Sequence, residues 1–213
     1  MNYQQWRDQL FGQPEQADPV CAEMSPEFDR LPRDRAFDYI DQVLVDAEIH
    51  QRFSRNQIGF GLNYIFSNSC SDLPFCYLRC PESRIIKGIQ NLNYLYQNYF
   101  DRYCFASSQS IQEIGAIQAG DRLEFLCYMF WDLFVVYPGS ASSSVIAASL
   151  EVMSAALDRK NGNAIVSAIH GLGHWALHDQ QAVAILEQWL MSPGTQNSVI
   201  RNYALQAKTG YIQ

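Results

Sequence analysis

Hydrophobic residues recur at helical spacing along most of this chain. Between residues 163 and 177 they fall at i, i+3, i+4, i+7 and i+11, on one face of a helix: Ile165, Ala168, Ile169, Leu172 and Ala176. Similar stripes predict helices over about 2–11, 34–53, 54–66, 81–105, 123–136 and 145–157, and two more after residues 179 and 197. Short helical turns are expected near 26–31, 74–79 and 111–117. The pattern predicts an all-α protein whose eight or nine helices pack in antiparallel pairs.

Residues typical of helix ends support this segmentation. Side chains that can accept hydrogen bonds from free N–H groups precede several stripes. The candidate N-caps are Asp34, Ser54, Asp121, one of Ser142 to Ser144, Asp179, and Asn197 or Ser198. Pro138-Gly139 and Pro193-Gly194 are typical of helix ends. The helix over 123–136 is apolar on nearly every side, so we expect it to be central.

The last quarter of the chain contains two helices with a similar arrangement of small residues. Ala168 and Ala204 are 36 positions apart, and Gly173 and Gly210 are 37 apart. The later helix resembles the first helix of a HEAT-like repeat at Val199, Arg201, Ala204 and Gly210, and the earlier one repeats the pattern at Ala164, Ala168, Leu172 and Gly173. The resemblance implies a scaffold that binds other macromolecules. We expect one domain over 1–213, irregular over about 34–138 and HEAT-like over about 142–213.

Composition and charge narrow the partners. The 15 basic and 22 acidic residues give a net charge of −7, and no cluster of Lys or Arg suggests nucleic-acid binding. No signal peptide is apparent, and the most apolar stretch, 125–137, is too short to span a bilayer. We therefore expect a cytoplasmic protein that binds neither nucleic acid nor membrane. In that compartment the six cysteines are expected to be reduced thiols: Cys21, Cys70, Cys76, Cys80, Cys104 and Cys127.

Histidines supply the clearest candidate chemistry. His170, His174 and His178 are spaced i, i+4 and i+8, and the first two lie on one helix face within reach of one metal ion. On the helical wheel they lie opposite the apolar stripe, so a polar or packing face is the alternative. The glutamate that follows the first histidine of a zinc-protease helix is absent. Glycines at 171 and 173 predict close approach of a second backbone, at a contact surface or at a metal site.

Asp132 stands within the apolar run YMFWDLFVV. A carboxylate on a buried helix needs a partner, because an isolated buried charge is costly. We expect a buried polar residue that is hydrogen-bonded or paired with an arginine, with Arg122 and Arg84 as candidates, and favour this structural role over a catalytic one.

Two other clusters are expected to be structural. Cys70, Cys76 and Cys80 lack the CxxC spacing of zinc knuckles, which favours buried or semi-buried thiols. Aromatic residues at 94, 96, 99, 100 and 103 fit either a groove or the core. The core is the commoner place, and Tyr94, which lies off the stripe, is expected to be exposed.

No GxSxG, P-loop or GxGxxG motif is present, so we assign no catalytic residue and no cofactor. The sequence favours a non-enzymatic protein that binds another protein, for example an immunity protein that neutralises a bacterial toxin. The residues that bind the partner and the oligomeric state do not follow from the sequence. One alternative is a metal-binding protein or metal-dependent enzyme that uses His170 and His174. The other is a HEAT-like adaptor or cofactor-handling protein with a pocket lined by aromatic residues.

Overall fold

A computed structural model describes residues 1–104, 111–115, 121–192 and 197–212. Within these ranges the regular elements are helices and there is no strand, which confirms the all-α prediction. The helices are α1 Tyr3–Phe11, α2 Pro26–Asp29, α3 Arg33–Val45, α4 Ile49–Arg52, α5 Arg55–Phe66, α6 Cys76–Arg79, α7 Glu82–Leu95, α8 Arg122–Leu133, α9 Ser143–Leu157, α10 Gly162–Ala176, α11 Gln180–Met191 and α12 Ser198–Ala207. One hydrophobic cluster extends from α1 to α12, as in a single domain.

Local capping explains where many helices begin. Ser54 forms a capping box with Gln57, and Asp121, Ser142, Asp179 and Asn197 each accept hydrogen bonds from first-turn amides. The prediction for Asp34 is wrong, because α3 begins at Arg33 after Pro32 and has no side-chain cap. The single helix predicted over 34–53 is also wrong, since the chain leaves helical geometry after Val45 and forms the separate α4.

Helix α7 continues beyond Leu95 through a π-helical turn, Tyr96–Phe100, and a last α-helical turn, Asp101–Tyr103. The wider π turn changes the direction of the side chains, and Tyr96, Tyr99 and Phe100 are all buried. Tyr94 is 43% exposed, as its place off the stripe predicts.

Helix α10 is the most enclosed element of the described structure. It packs against α8, α9, α11 and α12, and every residue in it except His174 is buried. Helix α8, which the sequence places at the centre, lies between α5 and α10 and leaves Phe125 39% exposed. It also ends at Leu133, three residues earlier than predicted, because Phe134 adopts an extended conformation.

None of the helices in the described ranges has the length and apolarity needed to cross a bilayer. All six cysteines are free. The turn predicted at Pro193-Gly194 lies outside the described residues, as does the end of the short helix predicted over 111–117.

Candidate metal centre

Packing of α8 against α10 brings Asp132 to the two histidines one turn apart on α10. His170 Nε2 lies 2.8 Å from Asp132 Oδ2, and His174 Nε2 lies 3.3 Å from Asp132 Oδ1. The two Nε2 atoms are 3.2 Å apart. Taking one donor atom from each residue, all three atoms lie within 4.8 Å of one another. Among the residues that the structure describes, no other group of three His, Cys, Asp or Glu converges in this way.

The approach of α8 to α10 depends on Gly171. A Cβ atom at this position would lie 2.5 Å from Trp131 Cδ1, so the absence of a side chain lets the indole rest on α10. The indole N–H donates to the Tyr96 hydroxyl at 2.9 Å, which fixes the ring. Since Asp132 follows Trp131 in α8, these contacts also set the position of the carboxylate. The close neighbour expected beside Gly171 is thus a side chain and not a backbone.

Two tyrosines contact the buried histidine, His170. His170 Nδ1 lies 2.5 Å from the Tyr203 hydroxyl, which lies 2.9 Å from the Tyr128 hydroxyl. The Tyr128 ring packs on the imidazole with its centroid 4.3 Å away. Burial raises the pKa of both tyrosines, so both hydroxyls stay protonated at neutral pH. The orientation of His170 is therefore fixed by a hydrogen bond on the nitrogen that faces away from Asp132.

Exposure increases across the three side chains. His170 is 2% exposed, Asp132 21% and His174 41%. Burial lowers the pKa of His174, and His170 lowers it further, while Asp132 acts in the opposite direction. The net effect keeps His174 a neutral imidazole at neutral pH, the form that can bind a metal ion.

The separations of the donor atoms suit a small divalent ion. For a metal–ligand distance of about 2.05 Å, ligand atoms lie about 2.9 Å apart at a right angle and about 3.3 Å apart at the tetrahedral angle. His170 Nε2 lies 2.8 Å from Asp132 Oδ2 and 3.2 Å from His174 Nε2, close to these values, while His174 Nε2 makes its 3.3 Å contact with the other carboxylate oxygen, Oδ1. Two imidazole nitrogens and one carboxylate oxygen are a donor set typical of zinc and ferrous sites.

The same contacts also serve as hydrogen bonds without a metal. His170 and His174 can each donate an Nε2 proton to one oxygen of Asp132, and Tyr203 can then donate to His170 Nδ1. In that state the two Nε2–H groups face each other at 3.2 Å, which is unfavourable. A metal ion bound to both nitrogens in place of the protons removes this conflict.

A cavity of about 520 Å³ opens beside the three residues. Asp132 and His174 form part of its wall, together with an aromatic set: Phe75, Trp131, Phe134, Tyr137 and Trp175. His178 also lines it, but α10 ends at Ala176, so this histidine does not continue the helical series. His178 is not one of the three converging ligands.

Several expectations for these residues need correction. His170 is buried between α8 and α12, so at this residue the face opposite the stripe is a packing face and not a solvated one. Asp132 is partly exposed instead of buried, and its partner is His170. Arg84, one expected partner, pairs instead with Asp38 and Asp41.

Sequence reasoning missed the supporting tyrosines. Tyr203 belongs to the apolar stripe of α12 and lies 33 positions after His170, so no local spacing indicated their contact. The three cysteines of the sequence analysis behave as expected for structural thiols: Cys76 is buried, and Cys70 and Cys80 are partly buried.

Comparison of the chain with family models, with curated proteins and with solved structures gives no significant match.

Proposed function

We propose that this protein binds one divalent transition-metal ion, of the zinc class, through Asp132, His170 and His174. The observation that carries the proposal is the convergence of their donor atoms, which come from two helices and lie within 4.8 Å of one another. The hydrogen bond at His170 Nδ1 supports it, because metal-bound histidines usually have a partner on the second ring nitrogen.

Three protein ligands leave at least one coordination position free. Structural zinc sites usually fill all four positions with protein ligands, whereas catalytic sites keep one for water or substrate. Here the more exposed ligands, Asp132 and His174, line the cavity. The function we propose is therefore metal-dependent binding or chemistry of a small molecule, and not metal-dependent folding alone. A bound ion of this kind supplies a Lewis acid and lowers the pKa of a bound water.

Calorimetric titration of the metal-stripped protein with Zn²⁺, followed by elemental analysis of the dialysed protein, tests the proposal. We expect one equivalent of zinc and a rise in the melting temperature. His174→Ala removes a ligand and Asp132→Asn replaces the carboxylate with a weaker, neutral one, so each should weaken binding by about 100-fold or more. His178→Ala is the matched control, because it removes a histidine from the same cavity wall without removing a ligand, and it should bind zinc normally.

Substoichiometric zinc in the folded wild-type protein would refute the proposal. So would equal weakening by His178→Ala and His174→Ala, since the ion would then bind to surface histidines in general. Tyr203→Phe provides a finer test, because loss of the hydroxyl beside His170 should weaken zinc binding by about 10- to 100-fold while leaving all three ligands present.

As a second function, we propose that the protein binds another protein. The concrete form of this proposal is an immunity protein that binds and neutralises a toxin. The net charge of −7 and the exposed rings of Tyr94, Tyr137 and Tyr211 support it, because acidic surfaces attract basic partners and tyrosines are frequent in interfaces. A HEAT-like arrangement of residues 142–213 suits the same function. Pull-down from the native host should then recover a stoichiometric partner whose binding weakens with salt. Recovery of the protein without a partner would count against it.

A further inference from the structure

We infer that the cavity beside the candidate metal centre binds a small aromatic monoanion, with its anionic oxygen on the metal ion and its ring between the aromatic walls. This inference rests on the proposed function, because the metal ion supplies the positive charge that the cavity otherwise lacks.

The charge of the cavity wall favours binding of an anion only when the metal ion is bound. Asp132 is the one Asp, Glu, Lys or Arg among the lining residues that the structure describes. Without a metal the wall therefore has a charge of about −1, which repels anions. A divalent ion held by one carboxylate and two neutral imidazoles changes the charge to about +1, which one monovalent anion neutralises.

The aromatic side chains of the cavity wall indicate that the ligand carries an aromatic ring. Trp131 and Trp175 meet edge to face with centroids 5.8 Å apart, and Trp131 and Phe134 do so at 6.0 Å. All three rings border the cavity next to Asp132 but are only 2–3% exposed, and Tyr137, which is 51% exposed, offers the more accessible ring of the wall. Planar rings gain both apolar burial and favourable ring–ring geometry in such a site. A volume of about 520 Å³ lies within the range of small-molecule sites and accommodates a single substituted ring.

Polar groups at the opening are few, which argues against a highly polar ligand such as a sugar or nucleotide. The Ser140 hydroxyl already donates to the backbone carbonyls of Val135 and Tyr137. Beyond the metal ligands and the indole N–H groups, the other polar side-chain groups of the wall are those of Asn68 and His178 and the hydroxyl of Tyr137. The chemical class is therefore an aromatic ring that bears one acidic oxygen group.

Calorimetry with the zinc-loaded protein tests the inference with two probes that bind metals as monoanions, benzohydroxamate and acetohydroxamate. We expect 1:1 binding of both, with benzohydroxamate about tenfold tighter because its ring enters the cavity. Benzamide, an uncharged aromatic analogue, should not bind measurably. The metal-free protein should bind none of the three.

A substitution in the wall separates the cavity from the metal. Leu78 lines the cavity without being a ligand, so Leu78→Trp should weaken benzohydroxamate about tenfold while zinc and acetohydroxamate bind as before. The matched control is Leu205→Trp, the same replacement at a leucine that is 53% exposed on α12, and it should change nothing.

The outcomes distinguish the two proposals. If zinc binds at one equivalent but both hydroxamates bind equally, or if Leu78→Trp has no effect on either, the aromatic cavity is not the ligand site and the inference is wrong while the metal proposal stands. Benzohydroxamate binding to the metal-free protein would also refute the inference. If zinc does not bind at all, the proposed function fails and the inference fails with it.

Discussion

The contact between Gly171 and Trp131 offers a direct test of how the site is held together. An alanine Cβ at position 171 would lie 2.5 Å from Trp131 Cδ1, 2.6 Å from Cγ and 2.8 Å from Cβ. The last two atoms are close to the Trp131 backbone, so the indole cannot rotate away from the clash cheaply. Gly171→Ala must therefore move α8 relative to α10, or distort the rotamer of Trp131.

The magnitude follows from two opposing effects. Alanine is favoured over glycine within a helix by about 1 kcal/mol, whereas overpacking a tight core costs about 1–3 kcal/mol. Because three Trp131 atoms lie under 3.0 Å from the added carbon, we take the upper part of that cost. The net loss in the free energy of unfolding is then about 1–2 kcal/mol, or about 2–8 °C in melting temperature.

Gly59→Ala is the matched control. Gly59 also lies within a helix, but an added Cβ there would meet its nearest neighbour, the Leu123 amide nitrogen, at 3.5 Å, an ordinary van der Waals distance. This variant should keep the helical gain and be stabilised by up to about 1 kcal/mol. Urea denaturation followed by circular dichroism measures both variants. If Gly171→Ala is stabilised to the same extent as Gly59→Ala, the Trp131 contact does not fix the packing of α8 on α10.

Three further predictions concern other parts of the molecule. Arg7 is 2% exposed and pairs with Asp46 at 2.8 Å. Arg7→Met leaves this carboxylate without its arginine partner and should lower the free energy of unfolding by about 2–4 kcal/mol, as measured by urea denaturation. Unchanged stability would exclude a structural role for the pair. The pKa of His50 is lowered mainly by burial, so protonation of this histidine favours the unfolded state. The free energy of unfolding should therefore fall as the pH drops through about 6.5, the pKa of an unperturbed histidine. In His50→Gln the fall should be smaller. Burial raises the pKa of Cys76 to about 12, whereas Cys21 is exposed. A thiol reagent should therefore label Cys21 first. A fast phase of labelling that persists in Cys21→Ser would contradict this prediction.

The parts of the fold that depend on local rules could be predicted from the sequence. Side chains such as Ser54 and Asp179 cap helices through contacts with residues two or three positions away, so their effect is visible in a short window. The apolar stripe of α10 follows from spacing alone. The predicted cap at Asp34 was wrong because α3 already begins at Arg33, directly after Pro32, so Asp34 lies within the first turn.

The site was predictable only within one helix. The i, i+4 spacing placed His170 and His174 on one face, and the structure brings their Nε2 atoms to 3.2 Å. Asp132 is 38 positions before His170, and its approach depends on how α8 crosses α10. No spacing rule in the sequence states that angle. Nor does the sequence indicate Tyr203, which only the packing of α12 against α10 brings to the imidazole.

The exposure of the three side chains argues for a ligand-binding role over a purely structural one. A network that serves only to fix helix packing gains most when it is enclosed, because exposed ion pairs contribute about 0–1 kcal/mol. Here the enclosed member is His170, while His174 is 41% exposed and Asp132 opens to the cavity. Burial on one side gives the rigidity that a metal ligand needs, and exposure on the other gives access to ion and substrate. The arrangement thus combines a fixed support with an accessible face, as a metal-dependent binding site requires.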